Sequence, residues 1–223
     1  MQPWILLDKA QVPGDVEALR LMRRGDEFAI LLGAASLMNS RLKGSEEALA
    51  RLACERIGAR ERPRVLIGGL GMGFTLRAAL AALGPHAGVV VAELVPAVIA
   101  WAKGPMAELY GDSLADSRVE IRQGDVASLI RATAPTWDAI LLDVDNGPDG
   151  LTRKSNDRLY DLAGLAAARA SLRPGGVLAV WSSGPDKSFA ARLRKSGFSV
   201  EEIAARAHGK SGARHVIWMA TKV

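Results

Sequence analysis

The sequence predicts an α/β protein with a mostly parallel sheet, and two observations lead to this prediction. From Pro63 onward, apolar runs of strand length alternate with amphipathic stretches of helix length. This order produces parallel strands with helices on both faces of the sheet. Near the end of the chain, two strand-like runs are joined by the polar turn HGKSGA, which predicts an antiparallel hairpin.

The first 43 residues predict a small N-terminal β region. Pro-Gly, Gly-Asp and Gly-Ala separate its short apolar runs and favour turns; the runs are WILLDK, EALRLMRR and EFAILLG. A predicted helix from Ser45 to Ile57 links this region to the rest of the chain. We therefore divide the 223 residues into region 1–43 and main domain 44–223.

Seven strands are predicted in the main domain. Five are rich in Val, Ile and Leu and bounded by Gly, Pro or Asp: RVLIGG, GVVVAE, RVEIR, WDAILLDV and GGVLAVWSS. The predicted helices are TLRAALAAL, PAVIAWAKG, DVASLIRAT, SNDRLYDLAGLAAARASL and Lys187 to Lys195. The hairpin adds GFSVEEIAARA and RHVIWMATKV. A mostly parallel seven-stranded sheet with a C-terminal antiparallel hairpin is typical of the methyltransferase-type Rossmann fold.

The composition argues against several classes of protein. A formal net charge of +5 suggests nucleic acid, but the basic residues are dispersed and do not alternate with aromatic ones, which favours a solvated surface. The apolar stretch from Ala29 to Met38 is too short to span a bilayer. The N-terminus lacks the basic start of a secretory signal, and the single cysteine, Cys54, fits a reducing compartment. We expect a cytoplasmic protein that binds neither nucleic acid nor a membrane.

A glycine-rich loop follows the first strand of the main domain and contains Gly69, Gly71 and Gly73. Glycines at a strand-to-helix crossover let the backbone approach a ligand closely and present N–H groups at a positive helix end. The spacing G-x-G-x-G differs from the dinucleotide pattern G-x-G-x-x-G, since Phe74 occupies the last position. The loop therefore predicts a nucleoside without a pyrophosphate, with tight packing alone as the alternative.

Two acidic residues follow the next two strands. Glu93 ends its strand twenty residues after Gly73, where a carboxylate can accept hydrogen bonds from both ribose hydroxyls. Asp125 follows Gly124 just past the third strand, where the adenine amino group would lie. Helix capping is the alternative for Glu93; Asp125 could cap the helix that begins beside it and contact the adenine as well.

An acidic segment follows the fourth strand. Its carboxylates are Asp143, Asp145, Asp149, Asp157 and Asp161. This concentration of negative charge beside a nucleoside pocket predicts a cationic substrate, and a carboxylate can take a proton from an ammonium group. Helix capping and a solvated loop explain Asp149 and Asp157 equally well, but they explain Asp143 less well because it directly follows the apolar run AILL.

Several blocks of the chain resemble the spermidine synthase-like aminopropyltransferases. The blocks occur in the family's order between about Asp26 and Ser183: DEFAILLGAASLMNSRLKGSEEALARLA, LIGGLGMGFTLR, ELVPAVI, DSRVEIRQGD, DAILLDVDNGP and LYDLAGLAAARASLRPGG. The resemblance implies a methyltransferase-type Rossmann domain with a small N-terminal β domain, often dimeric, that binds decarboxylated S-adenosylmethionine and a polyamine.

The resemblance also implies roles for single residues. Gly69, Gly71 and Gly73 would line the nucleoside, with Glu93 on the ribose and Asp125 on the adenine. Asp143 corresponds to the catalytic aspartate. Asp145, Tyr160 and Glu46 are the predicted substrate-binding residues.

The chain departs from the family pattern at three places. Met72 replaces an aspartate that helps to hold the aminopropyl amine, and Asn146 falls near a second aspartate, for which Asp145 would substitute. The segment Gly44 to Ala48 carries carboxylates where the family's gatekeeping helix brings a tyrosine. These departures leave the nucleoside half of the site intact and alter the half that would hold the aminopropyl group and the amine.

These features predict a transferase that moves an aminopropyl group from decarboxylated S-adenosylmethionine to an amine such as putrescine. Two alternatives stay open: a methyltransferase that uses S-adenosylmethionine on a small nucleophile, and a non-catalytic nucleoside-binding protein. No metal site is predicted, since His86, His208 and His215 lie far apart in the sequence. The predicted partners are a small cationic amine and a second copy of the chain, as a homodimer.

Overall fold

The computed structural model describes residues 2–13, 17–132, 134–144, 157–208 and 211–223. The first strands form a four-stranded antiparallel sheet in the order β1-β2-β3-β4. Their bounds are Ile5–Gln11, Ala18–Arg24, Glu27–Leu32 and Ala35–Asn39. The sequence predicted only three strands here, because the apolar run after Glu27 is split by a turn at Gly33, which has a φ of +55°.

The remaining strands form the predicted seven-stranded sheet, in the order β10-β11-β9-β8-β5-β6-β7. Strands β5 to β9 pair in parallel, and β11 pairs antiparallel with β9 and with β10. Their bounds are Arg64–Gly68, Gly88–Glu93, Val119–Gln123, Trp137–Leu142, Leu172–Ser182, Phe198–His208 and Ser211–Lys222. The topology confirms the predicted methyltransferase-type Rossmann fold.

The described helices agree with the prediction except at two places. Their bounds are, from α1 to α8, Gly44–Ile57, Phe74–Ala82, Pro96–Lys103, Ala107–Tyr110, Val126–Ala132, Asp157–Tyr160, Leu162–Ser171 and Lys187–Lys195. The short helix α4 was not predicted. The long helix expected before Arg173 is divided into α6 and α7, because Asp161 accepts a hydrogen bond from the Gly164 backbone N–H (2.7 Å) and caps the start of α7.

Two apolar clusters hold the layers together, one on each face of the large sheet. The cluster on one face joins side chains of α1, α2 and α3 to Leu21 and Ile30 of the small sheet. The cluster on the other face joins α5, α7 and α8 to the large sheet. The small sheet shares a core with one face of the large sheet. Its residues Leu19 and Ile30 lie beside the carboxyl ends of β5 and β6, where open α/β sheets bind ligands.

Candidate functional site

Two adjoining cavities occupy the crevice between the two sheets. The first cavity lies over the ends of β5 to β8 and is bounded by the small sheet. The second cavity lies between the glycine loop, α1 and the end of β9. Leu37, Met38, Gly71 and Asp143 line both cavities, so Asp143 lies at their junction.

The glycine loop has a backbone that only glycine adopts readily. Gly69, Gly71 and Gly73 have φ values of +91°, +52° and +79°. A Cβ atom on Gly69 would lie 2.5 Å from the Asp143 carbonyl oxygen, and one on Gly73 would lie 2.5 Å from the Tyr110 ring. The loop therefore packs directly against the segment that carries Asp143.

Tyr110 supports this loop and was missed by the sequence analysis. Its hydroxyl donates a hydrogen bond to the Gly71 carbonyl oxygen (2.6 Å), and burial raises the pKa of the phenol. Tyr110 lies on the unpredicted helix α4, far from the loop in sequence. Nothing in the local pattern distinguishes it from a core tyrosine.

Glu93 is a buried acidic group of the first cavity that backbone N–H groups hold on both carboxylate oxygens. It is 7% exposed, and its two carboxylate oxygens accept hydrogen bonds from the backbone N–H groups of Leu70 (2.9 Å) and Val95 (2.8 Å). Burial raises the pKa of Glu93, while these backbone hydrogen bonds lower it. Each carboxylate oxygen can accept two hydrogen bonds, and Glu93 lines the first cavity.

Asp125 lines the first cavity and also supports α5. Its Oδ1 accepts a hydrogen bond from the Ala127 backbone N–H (2.8 Å) at the start of that helix. The capping interpretation is therefore correct for Asp125, and it is compatible with a ligand contact because the carboxylate remains exposed. Gly69, Gly71, Glu93 and Asp125 thus line the first cavity, whereas Gly73 lines the second; nucleoside contacts by these residues stay a prediction.

The second cavity contains two carboxyl groups that influence each other. Asp143 follows β8 and accepts a hydrogen bond from the Thr75 hydroxyl (2.5 Å); Glu46 of α1 accepts one from the Ser45 hydroxyl (2.7 Å). Burial raises the pKa of Asp143 to about 6. Burial, together with the charge of Asp143, raises the pKa of Glu46 to about 7. A cation bound between them would relieve this repulsion.

The rest of the second cavity is largely apolar. Met72 is 3% exposed and lines the cavity with Leu70 and Phe74 from the glycine loop and the start of α2. Trp181, near the end of β9, borders it from the other side. A ligand in this cavity would therefore place its charge at Asp143 and Glu46 and its carbon atoms against Met72 and the two aromatic rings.

The structure does not bring every predicted site residue to the cavities. Tyr160 is 3% exposed and packs edge-on against Phe189 (ring centroids 5.7 Å apart), and it lines neither cavity. A substrate contact by Tyr160 stays a prediction. Asp145 and Asp149 lie outside the described ranges, and so does the side chain of Asp157.

Two further findings bear on the classes of protein considered. In the described ranges, no group of three or more His, Cys, Asp or Glu side chains is arranged to hold a metal ion. None of the helices in those ranges is long and apolar enough to cross a membrane.

Solved structures resemble this fold over nearly its whole length. The spermidine synthase from Thermotoga maritima matches with a TM-score of 0.77, 18% identity and coverage of 98% of this chain and 72% of that one. A spermidine synthase in complex with the transition state analogue AdoDATO matches with a TM-score of 0.75 at the same identity and coverage. The chain has a spermidine synthase-like fold. No protein-family model matches the sequence, and no curated protein does either.

The same fold extends to a methyltransferase. The 1,6-didemethyltoxoflavin-N1-methyltransferase of Burkholderia thailandensis, bound to 1,6-didemethyltoxoflavin and S-adenosylhomocysteine, matches with a TM-score of 0.56 and 21% identity, over 81% of this chain and 79% of that one. These neighbours of the spermidine synthase-like fold are transferases. Because the sequence identities are near 20%, these similarities do not indicate the substrates of this chain.

Proposed function

We propose that the protein is a transferase that moves an aminopropyl group from decarboxylated S-adenosylmethionine to a small cationic amine. The observation that carries the proposal is the position of Asp143 at the junction of the two cavities, opposite a second carboxyl group, Glu46. A carboxylate at this junction would lie between a donor in the first cavity and an amine in the second.

The first cavity supplies the groups that a nucleoside donor needs. The glycine loop would lie against the nucleoside, Glu93 would accept hydrogen bonds from the ribose hydroxyls, and Asp125 would accept one from the adenine amino group. Glu93 supports this assignment best, because its carboxylate is fixed by the backbone of the loop itself. The donor's sulfonium and its reactive carbon would then point towards Asp143.

Asp143 and Glu46 would bind the acceptor as an ammonium ion and make it nucleophilic. An ammonium group must lose one proton to a carboxylate before its nitrogen has a lone pair to attack. The nitrogen then forms a bond to the carbon next to sulfur, the C–S bond breaks, and its electron pair remains on sulfur as a neutral thioether. One proton is released for each group transferred, and alignment in a pocket with little water supplies much of the rate enhancement.

A donor and acceptor screen tests this proposal. The purified protein is incubated with decarboxylated S-adenosylmethionine or S-adenosylmethionine and a set of mono- and diamines that includes putrescine, and the products are weighed by mass spectrometry. We expect an aminopropyl increment on an amine and release of methylthioadenosine. Calorimetric binding of the nucleosides with no product from any pair would instead indicate a non-catalytic nucleoside-binding protein.

A second candidate is methyl transfer from S-adenosylmethionine, and Met72 is the observation that favours it. An aspartate at this position would repel the carboxylate of S-adenosylmethionine, whereas the buried Met72 side chain does not. Met72→Asp distinguishes the two donors, and Met72→Leu is the control of similar volume. Met72→Asp should improve kcat/KM for decarboxylated S-adenosylmethionine if that is the donor; a loss confined to S-adenosylmethionine turnover would support methyl transfer.

The remaining expectations stay predictions. These are the homodimer, the cytoplasmic location, and substrate contacts by Asp145. A substrate contact by Tyr160, whose ring packs beside Phe189, also stays a prediction.

A further inference from the structure

Two hydrogen bonds connect Glu46 through Ser45 to His215, and the reaction proposed above assigns them no role. The Ser45 hydroxyl donates to the Glu46 carboxylate (2.7 Å), and the same oxygen lies 2.9 Å from Nδ1 of His215. Ser45 is fully buried, whereas His215, on β11, is half-buried. These hydrogen bonds therefore connect the second cavity to a side chain that solvent reaches.

The protons of these hydrogen bonds have two possible arrangements, because a serine hydroxyl has only one proton to donate. When Glu46 is ionised, Ser45 donates to Glu46, and Nδ1 of His215 must carry a proton and donate to Ser45. When Glu46 is protonated, it donates to Ser45, and Ser45 donates to an unprotonated Nδ1. A proton that arrives on Glu46 can therefore leave through Ser45 by reversing the direction of both hydrogen bonds.

The surrounding groups allow this reversal near neutral pH. Glu46 faces Asp143 across the cavity and is close to Glu47 on its own helix, and Glu47 pairs with Lys43 (3.4 Å). Burial and the charge of Asp143 raise the pKa of Glu46 to about 7. The carboxyl group therefore exchanges its proton in the range where enzymes work.

The burial of the His215 ring disfavours its charged form. From β9, the Trp181 ring packs against it (centroids 4.6 Å apart), and burial lowers the pKa of His215. Its partner on β10 is the uncharged Ala205, and the next pair along the hairpin is Arg206 with Arg214. A neutral imidazole can accept a proton at Nδ1 and release one from Nε2.

We propose that Ser45 and His215 form a proton relay, in which the proton released by the amine passes from Glu46 through Ser45 to His215 and then to water. The relay rests on the proposed function, since that reaction releases one proton per turnover, whichever sulfonium donor is used. The ammonium proton goes to the carboxyl pair, the Ser45 hydroxyl gives its proton to Nδ1 of the Nε2–H tautomer as it receives one from Glu46, and the imidazolium that forms releases its Nε2 proton to water. His215 returns to the Nε2–H tautomer when its contact with Ser45 opens and water exchanges the Nδ1 proton. No other reactant is needed.

The relay can be tested without turnover by following the ¹⁵N chemical shifts of the histidine ring nitrogens against pH. The His215 signals are assigned by their loss in His215→Gln, and the exposed His86 is the internal control. In the wild type, we expect His215 to change from the Nδ1–H to the Nε2–H tautomer as the pH falls through the titration of Glu46. In Ser45→Ala and in Glu46→Gln, this step should vanish while the His86 signals are unchanged. A His215 tautomer that does not respond to Glu46 overturns the relay.

The kinetic arm measures kcat and KM against pH. Ser45→Ala and His215→Gln should each lower kcat by about tenfold with little change in KM, and should make kcat dependent on added small buffers, which replace the relay. His86→Gln should behave as the wild type. If Ser45→Ala does not fold, His215→Gln decides, because its side chain is half-buried. An unchanged kcat and pH profile in the folded variants overturns the proposal.

The two arms separate the relay from the proposed function. If no donor and amine pair gives a product but the His215 tautomer follows Glu46, the proposed reaction is wrong and the hydrogen-bonded chain is present. If products form but His215 does not follow Glu46, the proposed reaction stands and the relay is wrong.

Discussion

The two ends of strand β8 carry the same type of side chain in opposite surroundings. At its start, Asp138 is 1% exposed and accepts hydrogen bonds from Arg60 (2.5 Å), Arg173 (2.8 Å) and the Arg64 backbone N–H (2.7 Å). Just past its end, Asp143 accepts a hydrogen bond from Thr75, and a second carboxyl group, Glu46, raises the negative charge around it.

The difference shows that one aspartate of β8 stabilises the fold, whereas the aspartate that follows the strand is free to interact with a ligand. At the start of β8, two guanidinium groups neutralise a buried carboxylate, so it is satisfied and has nothing left to bind. At the other end, a carboxyl group faces a cavity with no basic partner among the described residues, so a cationic ligand would complete its surroundings. Variants of the two aspartates should accordingly fail in different ways.

The largest effect is expected from Asp143→Asn. An amide cannot take a proton from the ammonium group, so kcat should fall by at least about 100-fold. The nucleoside Kd, measured by calorimetry, should stay within about threefold, since the first cavity keeps its loop and Glu93. Turnover at the wild-type rate with intact nucleoside binding would show that Asp143 is not the base.

The next effect is expected from Gly69→Ala, which changes the contact between the loop and Asp143. Its φ of +91° and the 2.5 Å approach to the Asp143 carbonyl oxygen leave no room for a Cβ atom. The free energy of unfolding should fall by about 3 kcal/mol, and nucleoside affinity should fall with it. Gly84→Ala is the matched control, since a Cβ there meets nothing within 4 Å. Equal stability of the two variants would contradict the strained geometry of the loop.

Asp138→Asn should reduce stability and leave the chemistry unchanged. Removal of the charge leaves Arg60 and Arg173 without their carboxylate, and both are partly exposed. We therefore expect a loss of about 2 kcal/mol in chemical denaturation. The exposed Asp112→Asn controls for the substitution itself. The nucleoside Kd should match the wild type; a change in Kd with no loss of stability would refute the division between the two ends of β8.

An effect of about the same size as that of Asp138→Asn is expected from Glu46→Gln, and it depends on pH. A pKa raised from 4.5 to about 7 means that the folded state binds more protons than the unfolded state between these values. The stability of the wild type therefore falls as pH rises through this window, and above it the folded protein retains a buried charge. Glu46→Gln removes this cost, so thermal unfolding should show a relative gain of about 2 kcal/mol between pH 5 and pH 8. An equal Tm difference at both pH values would argue against the raised pKa of Glu46.

Much of the fold was predictable because strand and helix patterns are local. The apolar runs that form β5 to β8 are bounded by Gly, Pro or Asp, and their alternation with helices leaves few topologies. The errors also have local causes: the turn at Gly33 divides one apolar run into two strands, and Asp161 divides one helical pattern into two helices.

The first cavity was more predictable than the second. Gly69, Glu93 and Asp125 each follow a parallel strand, so their order in the sequence becomes their position along one edge of the sheet. The second cavity brings together side chains of α1, β9 and the glycine loop, and no sequence period relates Glu46 to Trp181. The ring contact between Tyr160 and Phe189 was not predictable either, because it joins residues of α6 and α8 that no local pattern relates.

The sequence by itself determined the methyltransferase-type fold, the small N-terminal sheet, and the edge of the large sheet where a nucleoside would bind. Hydrophobic periodicity and glycine spacing act within a few residues, so they can be recognised without coordinates. Only the tertiary structure decided that Glu46 faces Asp143, that Ser45 connects Glu46 to His215, and that Met72 lines the second cavity. These contacts join residues that lie up to 170 positions apart in the sequence. The packing of the two sheets around one core brings them together.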